Sequence, residues 1–358
     1  MVKLGVPSHN LQLLLDEKAT HTNIKDAIQK TLSKAPTGST FIFYYAGHGI
    51  NDKAGICFAN YDMYSNGTQS NGFNINFISQ EINANFKGDK VLLLADCCYS
   101  GGLINEAETI ATKGKKVIAY SSATSSNTST ENWTFTQTII DCFSGLPLAD
   151  SDNDGNISAK DISNELYNAM KYRENQLCGY VFKNIDSTFT FAKSIEKKPT
   201  STSKFKIGEY SHALQNEKWK PARIQAYTDN KYTVEFYDYS DKSVATLTEN
   251  NLKPISFISY SIDEQVVAEW DKKEYPAKIL QSKDDFYLIS YDGYGSEWNE
   301  WLTYTRLRKP NEKTVQVEYQ GKWYPAQVLK KENNKYFITY KGYNSSWDEW
   351  VGEERIRK

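Results

Sequence analysis

A chain of 358 residues is long enough for a full core and for more than one domain. With 39% hydrophobic residues and a net charge of -2, it offers no bulk electrostatic attraction for nucleic acid or an anionic membrane. No apolar run approaches the roughly 20 residues of a membrane span, and no signal-peptide pattern opens the sequence, so the expected compartment is the cytosol.

Composition divides the chain. Up to residue 193 apolar runs alternate with amphipathic helical patterns, and the polar, aperiodic stretch 194–204 reads as a linker. Seven of the eight tryptophans lie beyond it, among short β-type runs. All five cysteines (Cys57, Cys97, Cys98, Cys142, Cys178) precede it, with spacings that fit neither a disulfide framework nor a zinc site.

In chain order, a short apolar run covers 11–15. Thr20 is a cap-type residue before the helical stripe Ile24, Ala27, Ile28 and Leu32. Residues 40–46 predict a strand buried on both faces, 55–61 a second strand and 78–86 an amphipathic helix. The run Val91-Leu92-Leu93-Leu94-Ala95 is another fully buried strand; 116–121 is a strand and 135–143 a helix. Such alternation implies an α/β layer with a largely parallel sheet, whose chemistry sits beyond the carboxyl ends of the strands. Gly47-His48-Gly49 and Asp96-Cys97-Cys98 both fall at such ends. A histidine and a cysteine so placed are the two halves of a thiol–imidazole nucleophile. Taken singly, His48 would be a structural histidine and Asp96 a strand-end cap; the pairing favours chemistry.

Asp150, Asp152, Asp154, Gly155, Asn156 and Asp161 follow the calcium-loop pattern, with acids at the first, third and fifth positions and glycine at the sixth. The twelfth position is Asp161 instead of the usual glutamate. The alternative is an acidic turn capping a helix over 159–170.

The second half is a repeat. Residues 266–308 and 315–357 superimpose at a constant offset of 49 without gaps. Trp270 matches Tyr319, Tyr275-Pro276-Ala277 matches Tyr324-Pro325-Ala326, and Trp298-Asn299-Glu300-Trp301 matches Trp347-Asp348-Glu349-Trp350. A more distant copy spans 207–254. Short strands, glycine turns and many aromatics suggest small β-barrels, with Trp301 and Trp350 as core residues.

Tyr44-Tyr45-Ala46-Gly47-His48-Gly49 together with Asp96-Cys97-Cys98-Tyr99-Ser100-Gly101 resembles the paired signature of caspase-like cysteine peptidases, in the metacaspase and bacterial branch. The resemblance covers residues 4–193. It implies a caspase-hemoglobinase α/β sandwich, a mainly parallel sheet flanked by helices. It also implies His48 as general base, Cys98 as nucleophile, the backbone N–H groups of Gly49 and Cys98 as oxyanion hole, and Asp96 at the base of a pocket for Arg or Lys. Cys97 is expected to be structural. Family members usually have a first strand before the point where this chain opens, so that strand is expected to be missing. About fifteen residues separate Gly102 from the next strand, too few for a long activation loop, and no inhibitory prodomain is evident; a single-chain enzyme is expected.

The repeats resemble Tudor-like domains. Residues 205–258, with Phe236-Tyr237-Asp238-Tyr239, look like a plain Tudor barrel. Residues 263–309 and 313–358, with Tyr340-Lys341-Gly342-Tyr343 and Trp347, look like chromo-barrel or Tudor-knot modules. The resemblance implies aromatic cages for a methylated ammonium at Tyr275, Tyr291, Tyr294 and Trp298, and at Tyr324, Tyr340, Tyr343 and Trp347. The expected partners are therefore a protein or peptide substrate and a methylated protein ligand, with no membrane. Related modules also bind nucleic acid, but interspersed acids argue against strong phosphate affinity here. No cofactor is needed for thiol chemistry, and calcium is the one metal expected. The competing expectation is an inactive caspase-like scaffold that binds through its barrels.

Overall fold

The computed structural model describes the chain apart from residues 1, 3, 4, 66–69, 131, 199–201, 239, 240, 256, 272, 311–313, 342, 344–346 and 358. Tyr239 and Gly342, quoted above, therefore lie outside the described residues. Two compact units divide it, Met1–Lys198 and Pro199–Lys358.

In the first unit, α1 (His21–Lys34) starts where the Thr20 hydroxyl accepts the Asn23 amide at 3.2 Å, a cap that contributes about 1 kcal/mol. Strand β1 (Thr40–Ala46) is followed by a small separate sheet of β2 (Gly49–Asp52), β3 (Gly55–Phe58) and β4 (Phe73–Asn74). Next come α2 (Asn76–Asn85), β5 (Lys90–Asp96), α3 (Gly102–Ala111), β6 (Lys116–Ser121) and α4 (Thr134–Phe143). The unit ends with β7 (Asn156–Ser158), α5 (Ala159–Glu174), β8 (Gly179–Lys183) and β9 (Thr190–Lys193).

The central sheet has the order β1-β5-β6-β8; its first three strands are parallel and β8 is antiparallel, so it is mixed. Along β5 the side chains alternate between two cores. Val91, Leu93 and Ala95 pack with Leu32, Ile78, Ile82 and Leu103 on one face. Leu92 and Leu94 pack with Phe135, Ile139, Ile162 and Leu166 on the other. Strand β1 departs from the expectation of burial on both faces. Among the described residues it pairs with β5 alone, and of its own residues only Phe41 is fully buried. The apolar run 11–15 is also no core element, since Leu11, Leu13 and Leu15 are all exposed.

The β1–β5 register runs from Thr40 opposite Lys90 to Ala46 opposite Asp96. Both strands therefore end together, and the two sequence motifs leave the sheet side by side.

The second unit contains three five-stranded antiparallel sheets of one connectivity. The first comprises β10 (Tyr210–Gln215), β11 (Lys218–Thr228), β12 (Lys231–Asp238), β13 (Asp241–Leu247) and β14 (Leu252–Lys253). The second comprises β15 (Gln265–Trp270), β16 (Lys273–Lys283), β17 (Phe286–Tyr291), β18 (Glu300–Thr303) and β19 (Leu307–Arg308). The third comprises β20 (Thr314–Tyr319), β21 (Lys322–Glu332), β22 (Lys335–Tyr340), β23 (Glu349–Gly352) and β24 (Ile356–Arg357).

The central hairpin of each sheet turns on two residues of positive φ: Asp229 and Asn230, Asp284 and Asp285, Asn333 and Asn334. That is the type I′ geometry, whose twist matches the flanking strands. Each hairpin also carries a register shift at one place, Ile224/Ala226, Ile279/Gln281 and Val328/Lys330. Such bulges bend a strand and sharpen its twist, so the sheets curl, consistent with small barrels. The inner residues are aliphatic and tyrosine, among them Val266, Ile279 and Ile289 in the second sheet and Val317 and Ile338 in the third. Trp301 and Trp350 are not core residues. Trp350 is 37% exposed and lies against the Phe337 ring, and Trp301 is half-buried. The inward positions of these short strands are already filled by smaller side chains.

Candidate active site and aromatic cages

Beyond β1 and β5 the chain makes two sharp turns that touch. The Gly47 amide donates to the Asp96 carbonyl at 3.3 Å, and the His48 carbonyl accepts from the Ala59 amide and the Tyr45 hydroxyl, each at 2.9 Å. Tyr45 is itself stacked on Phe58 at 4.3 Å. These bonds fix the His48 backbone and leave the residue exposed. Gly49 is the contact between the motifs: a Cβ there would lie 1.7 Å from the Cys98 carbonyl oxygen. No other residue fits.

Cys98 is half-buried and is followed by Tyr99 in the left-handed region (φ 57), which turns the chain abruptly into α3. The turn is held by the Tyr99 amide, which donates to the Asn127 carbonyl at 2.8 Å. The Cys98 Sγ accepts the Ser129 amide at 3.2 Å. Ser129 is secured in turn by Gln176, whose side-chain amide donates to its Oγ at 3.1 Å and to the Ser122 carbonyl at 2.6 Å. Cys97 is different. It is buried, its amide donates to the Ser122 hydroxyl, and burial pushes its thiol far above the usual range. A thiol held protonated by burial is a poor nucleophile, which fits a structural part for Cys97. All five cysteines are free.

Asp96 is buried at the start of α4, where its carboxylate accepts the Thr136 amide at 3.1 Å and the Thr136 hydroxyl at 2.7 Å. It thus caps a helix amino terminus. Tyr44 completes the chain through a 2.8 Å bond to the same hydroxyl. Burial raises the Asp96 carboxyl, the Thr136 bonds offset this, and Glu174 adds to the rise. Glu174 binds the side chains of Asn132 and Thr134 at the same helix end. Two acids therefore bind the first turn of α4 and the segment leading into it.

Of the proposed calcium ligands, the structure gathers Asp150, Asp152 and Asp154, whose nearest oxygens lie within 4.8 Å of one another. Asp150 also accepts the amides of Asp154 and Gly155. Asn156 and Asp161 are turned to other work. The Asn156 side-chain oxygen accepts Lys193 Nζ at 2.6 Å. Asp161 forms a capping box with Ser158 on α5 and also accepts the Ser151 amide.

In the second unit each set of four expected rings comes together, and each is joined by a fifth. In the second sheet Tyr275, Tyr291, Tyr294 and Trp298 meet edge-on at centroid distances between 5.7 and 6.2 Å. Trp270 joins between Tyr275 and Trp298, at 6.4 and 5.7 Å. In the third, Tyr324, Tyr340, Tyr343 and Trp347 meet likewise, with Tyr319 as the fifth ring, 5.8 Å from Trp347. Trp270 and Tyr319 were visible as a matched pair in the repeat. That was the signal that could have placed them in the cages.

The floor of each cage is a buried tyrosine, Tyr291 or Tyr340, which donates to Glu300 at 2.6 Å or Glu349 at 2.7 Å. Each glutamate is forked by an arginine, Arg306 or Arg355, which also donates to the carbonyl of Glu269 or Glu318. Burial and these carboxylates push both tyrosine hydroxyls well up, so the floor stays neutral.

The sequence-family profile for the caspase domain matches residues 4–204, more than half of the chain, and the protein belongs to that family. A second profile, the Tudor-knot, described as the RNA binding activity-knot of a chromodomain, matches residues 310–358. Among solved structures, AGD34 of Arabidopsis thaliana AGDP1 is similar at 12% identity, over 32% of this chain and 84% of that one, with a TM-score of 0.14. The four MBT repeats of Drosophila melanogaster Sfmbt, in complex with a methyl-lysine peptide, are similar at 9% identity over 46% and 68%, with a TM-score of 0.16. A comparison with curated proteins found no match. The chain is thus a caspase-domain protein followed by a chromodomain-like Tudor-knot.

Proposed function

We propose that the protein is a cysteine endopeptidase that cuts after Arg or Lys and is directed to its substrates by its C-terminal β-modules. The observation that carries this reading is the Gly49–Cys98 backbone contact, which brings the histidine and cysteine motifs to one point. Cys98 attacks the scissile carbonyl, His48 takes the thiol proton and returns it to the leaving amine, and water hydrolyses the resulting thioester. The backbone N–H groups of Gly49 and Cys98 stabilise the oxyanion. Asp96, with Glu174 at the same helix end, supplies the negative charge that selects a basic side chain. The free thiols suit a reducing compartment such as the cytosol.

The aromatic cages bind a methylated ammonium on a protein partner through cation–π attraction. The trio Asp150, Asp152 and Asp154 holds calcium as a weak structural ion. The test is hydrolysis of Arg-, Lys- and Asp-terminated fluorogenic peptides, with and without calcium. Turnover of the Arg and Lys peptides, abolished in Cys98→Ala, is expected. No turnover above that of Cys98→Ala would favour the scaffold reading, cleavage after Asp alone would overturn the role of Asp96, and a rate and melting temperature blind to calcium would remove the metal.

A further inference from the structure

The two aromatic cages are built alike but do not stand alike. Trp298 and Trp270 in the second are 45% and 44% exposed, whereas their counterparts Trp347 and Tyr319 are half-buried. The cover comes from the first sheet of the same unit. Asn216 and Glu217 form its β10–β11 turn with φ of 49 and 64, and the turn delivers Lys218 so that its ammonium lies 3.5 Å from the centre of the Trp347 ring. Lys218, Trp219, Lys253, Tyr319, Tyr340 and Trp347 line one cavity of about 260 Å³.

A second contact locks the same side. Lys253 lies 4.3 Å over Trp219, and its charge faces Asp348, the residue next to Trp347. Burial raises the Asp348 carboxyl to about 8 and lowers Lys253 to about 8, as expected for groups taken out of water together. Among the described residues no lysine or arginine lies over a ring of the second cage.

We propose that the third sheet's cage is occupied by the chain's own Lys218, so that the second cage is the one open to a methylated partner. The proposal rests on the cage reading above and adds to it a division of labour: one cage holds the unit together and the other recognises. A ligand that binds the third cage must therefore first displace the Lys218 ammonium seated on Trp347.

The test uses the full chain labelled with 5-fluorotryptophan, with the Trp298 and Trp347 resonances assigned by single Trp→Phe variants, and tetramethylammonium as the probe. In the wild type, Trp298 is expected to shift on titration while Trp347 does not at concentrations that saturate Trp298. Lys218→Ala is expected to move the Trp347 resonance before any probe is added, and to lower the probe concentration needed at Trp347 at least tenfold. Lys218→Arg, which keeps a cation, is expected to behave as wild type. Equal titration of both tryptophans in the wild type, or a Trp347 resonance unmoved in Lys218→Ala, would overturn the proposal. If neither tryptophan responds to the probe in any of these proteins, the cage reading fails. The probe-free Trp347 shift in Lys218→Ala still decides separately whether Lys218 occupies the ring.

Discussion

Gly49 concentrates the chemistry of the first unit into one steric fact. Because a Cβ would overlap the Cys98 carbonyl, Gly49→Ala must push the two motif turns apart. Losing one oxyanion donor costs roughly 100-fold to 1,000-fold in rate, and a fall of at least about 100-fold in kcat/KM is expected on an Arg-terminated peptide. An alanine variant that keeps more than a tenth of the activity would contradict this placement. The residue type was legible in the sequence, since glycine beside the candidate histidine signals close backbone approach. The Ser129 amide on Cys98 was not, because that bond joins backbone to side chain across 31 positions and leaves no mark on residue choice. Asp96 shows the same limit from the other side. Its identity was legible, yet the bonds that orient it come from Thr136, 40 residues on.

At the scale of the element, the second unit repeats a device that its aromatic pattern conceals. The glutamate of each Trp-x-Glu-Trp motif holds the cage floor, through Tyr291–Glu300–Arg306 in one copy and Tyr340–Glu349–Arg355 in the other. Glu300 is mostly buried, with 14% of its side chain exposed, and Glu300→Ala would leave both the tyrosine hydroxyl and one face of Arg306 unpaired. A cost of about 1–3 kcal/mol is expected from such unmet groups, measurable as a shift in the denaturation midpoint. A change under about 0.5 kcal/mol would mean that the glutamate is dispensable to the floor. The 49-residue offset revealed which residues correspond, and so exposed Glu300 and Glu349 as a pair. It could not say that they point beneath the rings while Trp301 and Trp350 point away. In a strand that alternates faces, that assignment depends on the bulge and register, which only the folded sheet fixes. Strand β1 taught the same lesson: a run of six apolar residues reads as doubly covered, but a place at the sheet edge leaves part of them in water.

Across the whole molecule, a caspase domain followed by a chromodomain-like Tudor-knot implies, on the proposed function, that binding and cutting are separable. Substitutions in the cages should alter which proteins are cut while leaving hydrolysis of short peptides unchanged. In the proposed mechanism the chemistry rests on the first unit alone, with Cys98 as nucleophile, His48 as base and a basic side chain held by Asp96. The most direct measurement is the site and amount of covalent adduct formed by an Arg-terminated peptidyl fluoromethyl ketone, read by intact mass and peptide mapping. One adduct per chain at Cys98, with little or none in His48→Ala and none from the Asp-terminated analogue, is the expected result. An adduct on Cys97, labelling unchanged in His48→Ala, or reaction with the Asp analogue alone would contradict the account.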